Sequence, residues 1–230
     1  MHREVEEKVK IINPSFEFVG PDDSEGGIAL LKKIEYFARI SHRSEDAQTD
    51  DSWKRFIKAV VLDKGDWSVT EHASASVIIR TDRGITHEIV RHRHFSFTQE
   101  STRFVNYGKR EIEFVEPTWN MESVKIGHPR YDWEYTMFTS EQTYLDLLKN
   151  GQPPQAARSV LPTCTAATIA MSGNLRAWRW FFLMRTTKET HPDMKKISIP
   201  MLKVFQERIP ILYDDIEPDQ KQSISLSRPS

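Results

Sequence analysis

Residues Arg91 to Arg103 read RHRHFSFTQESTR. Arg91, Arg93 and Arg103 are fixed cations, and each presents a planar fork of N–H donors that matches phosphate oxygens. Hydroxyls and backbone N–H groups nearby can complete a phosphate cradle without adding charge. The same composition also suits a solvated helix face that carries arginines, and composition alone favours that reading. A metal site is a third reading, because His87-Glu88 followed by His92 resembles the two-histidine helix of zinc proteases. The spacing defeats it. Ligands on one helix face need i,i+4, whereas i,i+5 sets the two histidines about 140° apart. No metal site is expected, and His94 reads as an ordinary packed or solvent-facing histidine.

Upstream of this run, Leu30, Ile34, Phe37 and Ala38 recur at helical spacing between Gly26 and Ile40, and Trp53, Phe56, Ile57, Val60 and Val61 repeat it in the next segment. Two amphipathic helices are predicted, joined by the polar loop SHRSEDAQTDD, with Asp50 or Asp51 as cap of the second. Ala73 to Arg80 is rich in Ser, Val and Ile and predicts a strand, followed by a turn at Thr81-Asp82-Arg83-Gly84. Ile85, Ile89 and His92 lie near one helix face. Downstream, Glu111 to Val115 alternates as a strand does, and Thr139 to Asn150 predicts a helix stopped by Gly151. Pro153-Pro154 opens another helix through Ala156, Ala157 and Val160. Thr165 to Met171 predicts a buried strand. Asn174 caps a helix carrying Leu175, Trp178, Phe182 and Leu183, and Pro192 starts a long last helix that Pro200 is expected to kink. The fold class expected is α+β: one domain over residues 1–216, then a disordered tail from Glu217.

The chain of 230 residues is long enough to bury one substantial core. Its 32 Lys and Arg against 33 Asp and Glu give a net charge of -1, which argues against a protein devoted to non-specific nucleic-acid binding. Cys164 is the single cysteine, so no intramolecular disulfide and no cysteine-rich zinc site can form, and a reducing cytoplasm suits the chain. No run approaches the roughly 18 apolar residues of a membrane span, and the N-terminus MHREVEEKVK has no apolar core of a signal peptide.

The run from Arg91 becomes specific as a pattern. Arg91-His92-Arg93, seven residues and then Ser101 resembles the RHR-x7-S signature of the flavin-dependent thymidylate synthases. Glu71-His72, Ala157-Arg158 with Leu161-Pro162, Asn174-x-Arg176, and Arg185 follow in that family's order, so the resemblance covers Ser41 to Tyr213. It implies the family's antiparallel-rich fold, a homotetramer and FAD. It also implies that Ser68, Arg91, His92, Arg93, Asn174, Arg176 and Trp180 contact the flavin. Glu88, Ile89, Val90, Arg91, Ser101, Arg103, Arg158 and Arg185 would contact dUMP, with Gln99 between the two ligands and the backbone at Glu100 and Thr102 near the nucleotide phosphate. The chain departs from the pattern at Gln99, where some members have Glu, and at Glu88, where many have Gln. Trp180 sits at a variable position, and the segment from Arg185 to His191 is longer than usual.

The chemistry implied is methylation of dUMP to dTMP, with 5,10-methylenetetrahydrofolate as carbon donor and FAD reduced by NADPH or NADH. Uracil C5 is a poor nucleophile, and the other type of thymidylate synthase activates it with a cysteine thiolate. Cys164 lies in an apolar stretch where a free cysteine behaves as a small hydrophobe, so no catalytic part is expected of it. Arg185 is the expected catalytic residue, a fixed cation for negative charge developing on the pyrimidine. No GxGxxG follows a predicted strand, so no Rossmann domain is expected for the nicotinamide cofactor. The competing reading is a nucleic-acid module using Arg80, Arg83, Arg91, Arg93 and Arg103, for which steep salt dependence would be diagnostic.

Overall fold

The computed structural model describes residues 9–20, 24–118 and 129–219. In chain order it contains strand β1 (Lys10–Ile12), strand β2 (Ser15–Val19), helix α1 (Ser24–Ile40), short helix α2 (Ser52–Phe56), strand β3 (Ser74–Asp82), helix α3 (Arg83–Ile89), strand β4 (Phe95–Gln99), strand β5 (Glu113–Val115), helix α4 (Pro129–Lys149), short helix α5 (Pro154–Ala157), strand β6 (Ala166–Asn174), helix α6 (Leu175–Arg185) and helix α7 (Pro192–Arg208). The mixed helix and sheet content agrees with the expected class. Most of the remainder of the predicted tail, residues 220–230, lies outside the described residues; its start does not, and the Asp219 N–H donates to the Thr186 carbonyl at 2.8 Å.

Two sheets form among the described residues. One has two strands, β1 and β5, paired in parallel with Lys10 opposite Glu113 and Ile12 opposite Val115. The other has four, in the order β2-β3-β6-β4. Within it Ser76 meets Ser172 through their hydroxyls, and Arg80 meets Thr168. One number falls as the other rises, which is antiparallel register.

Local chemistry explains where the elements begin. The Asp82 carboxylate accepts from the Ile85 N–H at 2.8 Å, so β3 runs straight into α3 with Asp82 as its cap, and the predicted turn does not form. Helix α3 stops at Ile89, so His92 is not on its face as the periodicity suggested. Asn174 caps α6 by accepting from Ala177 N–H at 2.8 Å, and His191 caps α7 by accepting from Asp193 N–H. Pro200 lies inside α7, which continues to Arg208. Asp51 stands at the start of α2 without a side-chain cap bond; its carboxylate binds Lys54 instead. After Phe56 the helix widens into a π-type turn over Ile57–Asp63.

The chain divides into two compact units, each assembled from several segments. Of the described residues, the first takes 9–15, 79–91, 97–118 and 129–170. Its core is Tyr107, Ile112, Phe114, Met137, Tyr144 and Ala157. The second takes 16–20, 24–78, 92–96 and 171–219. Its centre is aromatic: Trp178, Phe181, Phe182, Phe205 and Tyr213 are fully buried, and the Trp178 and Phe205 rings lie 4.8 Å apart. The polar ends of these rings are satisfied, with Trp178 Nε1–H donating to the Ala75 carbonyl and Tyr213 O–H to the Leu175 carbonyl, both at 3.0 Å. Gly27 of α1 packs so closely on α7 that a Cβ there would fall 1.6 Å from the Arg208 carbonyl oxygen.

Candidate active site

Within the second unit, Ser68, Asn174, Arg176 and Trp180, four of the residues expected to meet the flavin, lie on α6, at its cap or on the 3-10 turn bonded to its first turn. A 3-10 turn over Trp67–His72 carries Ser68 and Glu71. Side chains three apart eclipse in such a turn, so Ser68 and Glu71 share an edge, and Glu71 accepts from Arg176 Nη1 at 2.6 Å. Arg176 and Trp180 stand one turn apart on α6, and both are exposed. Asn174 is occupied as the helix cap.

Arg185, at the other end of α6, donates from Nε–H to His92 Nε2 at 3.0 Å. The bond requires an unprotonated Nε2, and burial together with the neighbouring guanidinium pushes His92 down to about 4, so the imidazole is neutral at physiological pH. Its ring sits edge-on to Phe181 at 5.0 Å. Phe95 packs against Trp178 at 4.9 Å and covers Gly173, where a Cβ would meet its ring at 2.4 Å. A missing side chain on β6 therefore seats the aromatic residue that follows the Arg91-His92-Arg93 triplet. The Arg185 carbonyl accepts from the buried Ser198 hydroxyl at 2.5 Å. Arg93 is exposed.

In the first unit, the residues expected to meet dUMP lie on α3 and just past it, at the end of β4, on the loop after it and, for Arg158, on the 3-10 turn after α5. Gln99 donates from Nε2 to Thr86 Oγ1 at 2.9 Å, which orients its amide oxygen. Ser101 Oγ accepts from the Arg103 N–H at 3.3 Å, and Arg158 Nη1 donates to Thr102 Oγ1 at 3.3 Å. Arg103 lies over the exposed ring of Phe104 at 5.3 Å. Arg91 and Val90 are exposed and Glu88 is half-buried. Ile89 is fully buried, so only its backbone can face a ligand. The Glu100 N–H, one of the two backbone donors expected at the phosphate, is already committed to the Thr168 carbonyl at 2.8 Å.

Cys164 is half-buried, with Sγ 3.0 Å from the Met137 sulfur, and burial pushes its thiol up to about 11. It is a protonated, apolar group at neutral pH. Among the described residues no cluster of three or more His, Cys, Asp or Glu could hold a metal ion, and no helix is long and apolar enough to cross a membrane.

The family model described as thymidylate synthase complementing protein matches residues 29–211. A flavin-dependent thymidylate synthase of Corynebacterium glutamicum is 35% identical over 213 residues, covering 85% of this chain and 82% of its own. The chain belongs to the flavin-dependent thymidylate synthases. The Corynebacterium aurimucosum member is 36% identical over 168 residues, 67% of either chain. A crystal structure of the UMP/dUMP methylase PolB from Streptomyces cacaoi, bound with 5-Br dUMP, superimposes with a TM-score of 0.71 over 89% of this chain and 95% of that one. At 22% identity it shows a shared fold.

In this flavin-dependent thymidylate synthase, a methyltransferase, the groups that hold the expected contact residues in place were missed by sequence reading. Arg83 donates to the Glu100 carbonyl at 3.4 Å, Tyr107 donates to the Glu100 carboxylate at 2.7 Å, and Thr86 orients Gln99. Thr86 is a buried hydroxyl on α3, bonded to the Arg83 carbonyl as well as to Gln99.

Proposed function

We propose that this enzyme converts dUMP to dTMP, taking the carbon from 5,10-methylenetetrahydrofolate and releasing tetrahydrofolate, with FAD that NADPH or NADH has reduced. The observation that carries the reading is the family match over residues 29–211. The 5-Br dUMP held by PolB, a protein of the same fold, supports the nucleotide as substrate.

The residues of the second unit fit a flavin dinucleotide. Arg176 and Glu71 form an exposed ion pair, with side chains 53% and 47% exposed, and such pairs are worth about 1 kcal/mol or less. The guanidinium can therefore exchange a surface carboxylate for a phosphate at small cost. Ser68 on the adjoining edge, Trp180 one turn along α6, Asn174, His92 and Arg93 would complete the set; Arg91 belongs to the first unit. When bound, reduced flavin supplies the hydride that takes the transferred carbon to the methyl level.

The protein's own part is positioning and electrostatics. Ser101, Thr102, Arg103 and Arg158 bind the nucleotide phosphate, with Glu88, Ile89, Val90 and Gln99 toward the base. Arg185, fixed by a neutral imidazole, stabilises negative charge on the pyrimidine as C5 attacks. No cysteine nucleophile is required, consistent with the high pKa of Cys164. We read residues 1–216 as one domain, because neither compact unit is a continuous segment, and we propose a cytoplasmic homotetramer in which neighbouring copies complete each site.

The test is the visible spectrum of the purified protein with and without dUMP, followed by an assay for dTMP. Flavin bands that shift on adding dUMP, and folate-dependent dTMP formation, are expected. A colourless protein that FAD cannot reconstitute would sink the reading.

A further inference from the structure

The Glu100 side chain sits beside the ligand-facing residues and points away from solvent into a polar network. Its carboxylate accepts from the Tyr107 hydroxyl at 2.7 Å and from the Thr168 N–H at 3.3 Å, and lies 3.7 Å from Arg80 Nη1. Its backbone is held as well, with N–H to the Thr168 carbonyl at 2.8 Å and its own carbonyl taking Arg83 Nη1. Tyr107 is a rigid strut: its ring is buried, its N–H donates to Tyr144 Oη at 3.3 Å, and the two rings meet at 5.8 Å. On the other side Arg80 binds Glu113, which binds Lys10 at 2.9 Å. Charges of alternating sign thus run Lys10, Glu113, Arg80, Glu100. The next residues are Ser101, Thr102 and Arg103, whose turn is closed by bonds from the Arg103, Phe104 and Val105 N–H groups back to Ser101. That turn has no strand of its own to hold it, so the fixed residue before it sets where its hydroxyls and guanidinium point.

We propose that Glu100, braced by Tyr107 and Arg80, is a positioning residue that sets the Ser101–Arg103 turn for the phosphate of the nucleotide; the inference rests on the dUMP reading above. Glu100 touches no ligand through its side chain in this role. It converts the rigidity of the first unit's aromatic core into a fixed phosphate-binding geometry. The Tyr107 hydroxyl, pushed well above its usual range by burial and by the adjacent carboxylate, stays a donor throughout the working pH range.

The experiment compares dUMP and deoxyuridine binding to the holoenzyme, alongside steady-state kinetics, for the wild type, Tyr107→Phe, Glu100→Ala and Glu100→Gln. Tyr107→Phe deletes one hydroxyl and keeps the ring, and loss of a charge-assisted hydrogen bond is expected to raise KM for dUMP about tenfold with kcat little changed. Deoxyuridine, which lacks the phosphate, should bind the variant as it binds the wild type. Glu100→Ala should raise KM at least as far, and Glu100→Gln, which keeps an oxygen for Tyr107, should recover most of the loss. Unchanged KM in Tyr107→Phe, or equal loss of dUMP, deoxyuridine and flavin binding together, would overturn the positioning role. A wild type that binds no dUMP at all would overturn the functional reading first, and the positioning role with it.

Discussion

Arg185 and His92, 93 positions apart in the chain, are joined by a hydrogen bond in which the guanidinium Nε–H donates to the imidazole Nε2 at 3.0 Å. Two basic side chains can share such a bond only while the imidazole is neutral. The pairing makes His92 the support of Arg185 and ties the Arg91-His92-Arg93 triplet to the end of α6.

Arg185→Lys should therefore fail although it keeps the charge. A lysine ammonium gathers its donors on one nitrogen, so it cannot reproduce the spread by which Nε–H holds His92 while the separate Nη groups face elsewhere. We expect kcat for dTMP formation to fall by about a hundredfold or more, the scale seen when one charge-stabilising donor is removed, with flavin still bound. Turnover within a few-fold of wild type would show that the fork geometry is not needed.

The low His92 pKa, about 4 against an ordinary 6.5, makes a prediction about stability against pH. Between those values the unfolded chain binds a proton at His92 that the folded chain does not. Folding stability from this group is therefore complete above about 6.5 and is lost as pH falls toward 4. Thermal melts over that window should show a falling Tm for the wild type. The fall should be shallower for His92→Gln, which cannot titrate while carboxylates elsewhere titrate in both proteins. Parallel curves would contradict the assignment.

Cys164→Ala should retain most of the wild-type turnover, since a thiol pushed up to about 11 carries almost no thiolate at neutral pH. Alkylating reagents should label it slowly until the protein is unfolded, as read by mass spectrometry. Loss of the contact with Met137 should cost no more than about 1–2 kcal/mol in chemical denaturation.

Gly173→Ala tests the seat of Phe95. The added Cβ would fall 2.4 Å from the Phe95 ring, so the ring must move, and with it the chain that carries His92. Overpacking of this kind costs about 1–3 kcal/mol. A lowered Tm together with weakened flavin retention is expected; a variant with wild-type melting would show the ring to have room.

Two long elements were legible because periodicity and caps agreed: α6 begins after Asn174 and α7 at Pro192, as read, whereas α4, expected from Thr139, already begins at Pro129. Strand β4 was not, because Phe95–Gln99 lies in a run whose charges dominated its reading, though its aromatic and polar residues alternate. Strand β1 has three residues, too few for any pattern, and exists through pairing with a distant partner. The residue types of the site were readable through the family pattern, yet their supports were not. Glu100 meets Thr168 across 68 positions, and nothing local to FTQES announces it. Asp82 shows the opposite failure, a residue read as part of a turn that serves as a helix cap.

The parallel pairing of β1 with β5 has a consequence for synthesis. Lys10 and Glu111, bonded at 2.7 Å, are 101 positions apart, so a ribosome that has released β1 must add all of the intervening chain before that strand finds its neighbour. Until then β1 has no partner to pair with, and the first unit cannot close. A nascent chain arrested ahead of β5 should thus be degraded rapidly by proteases, and one released beyond α7 should resist them.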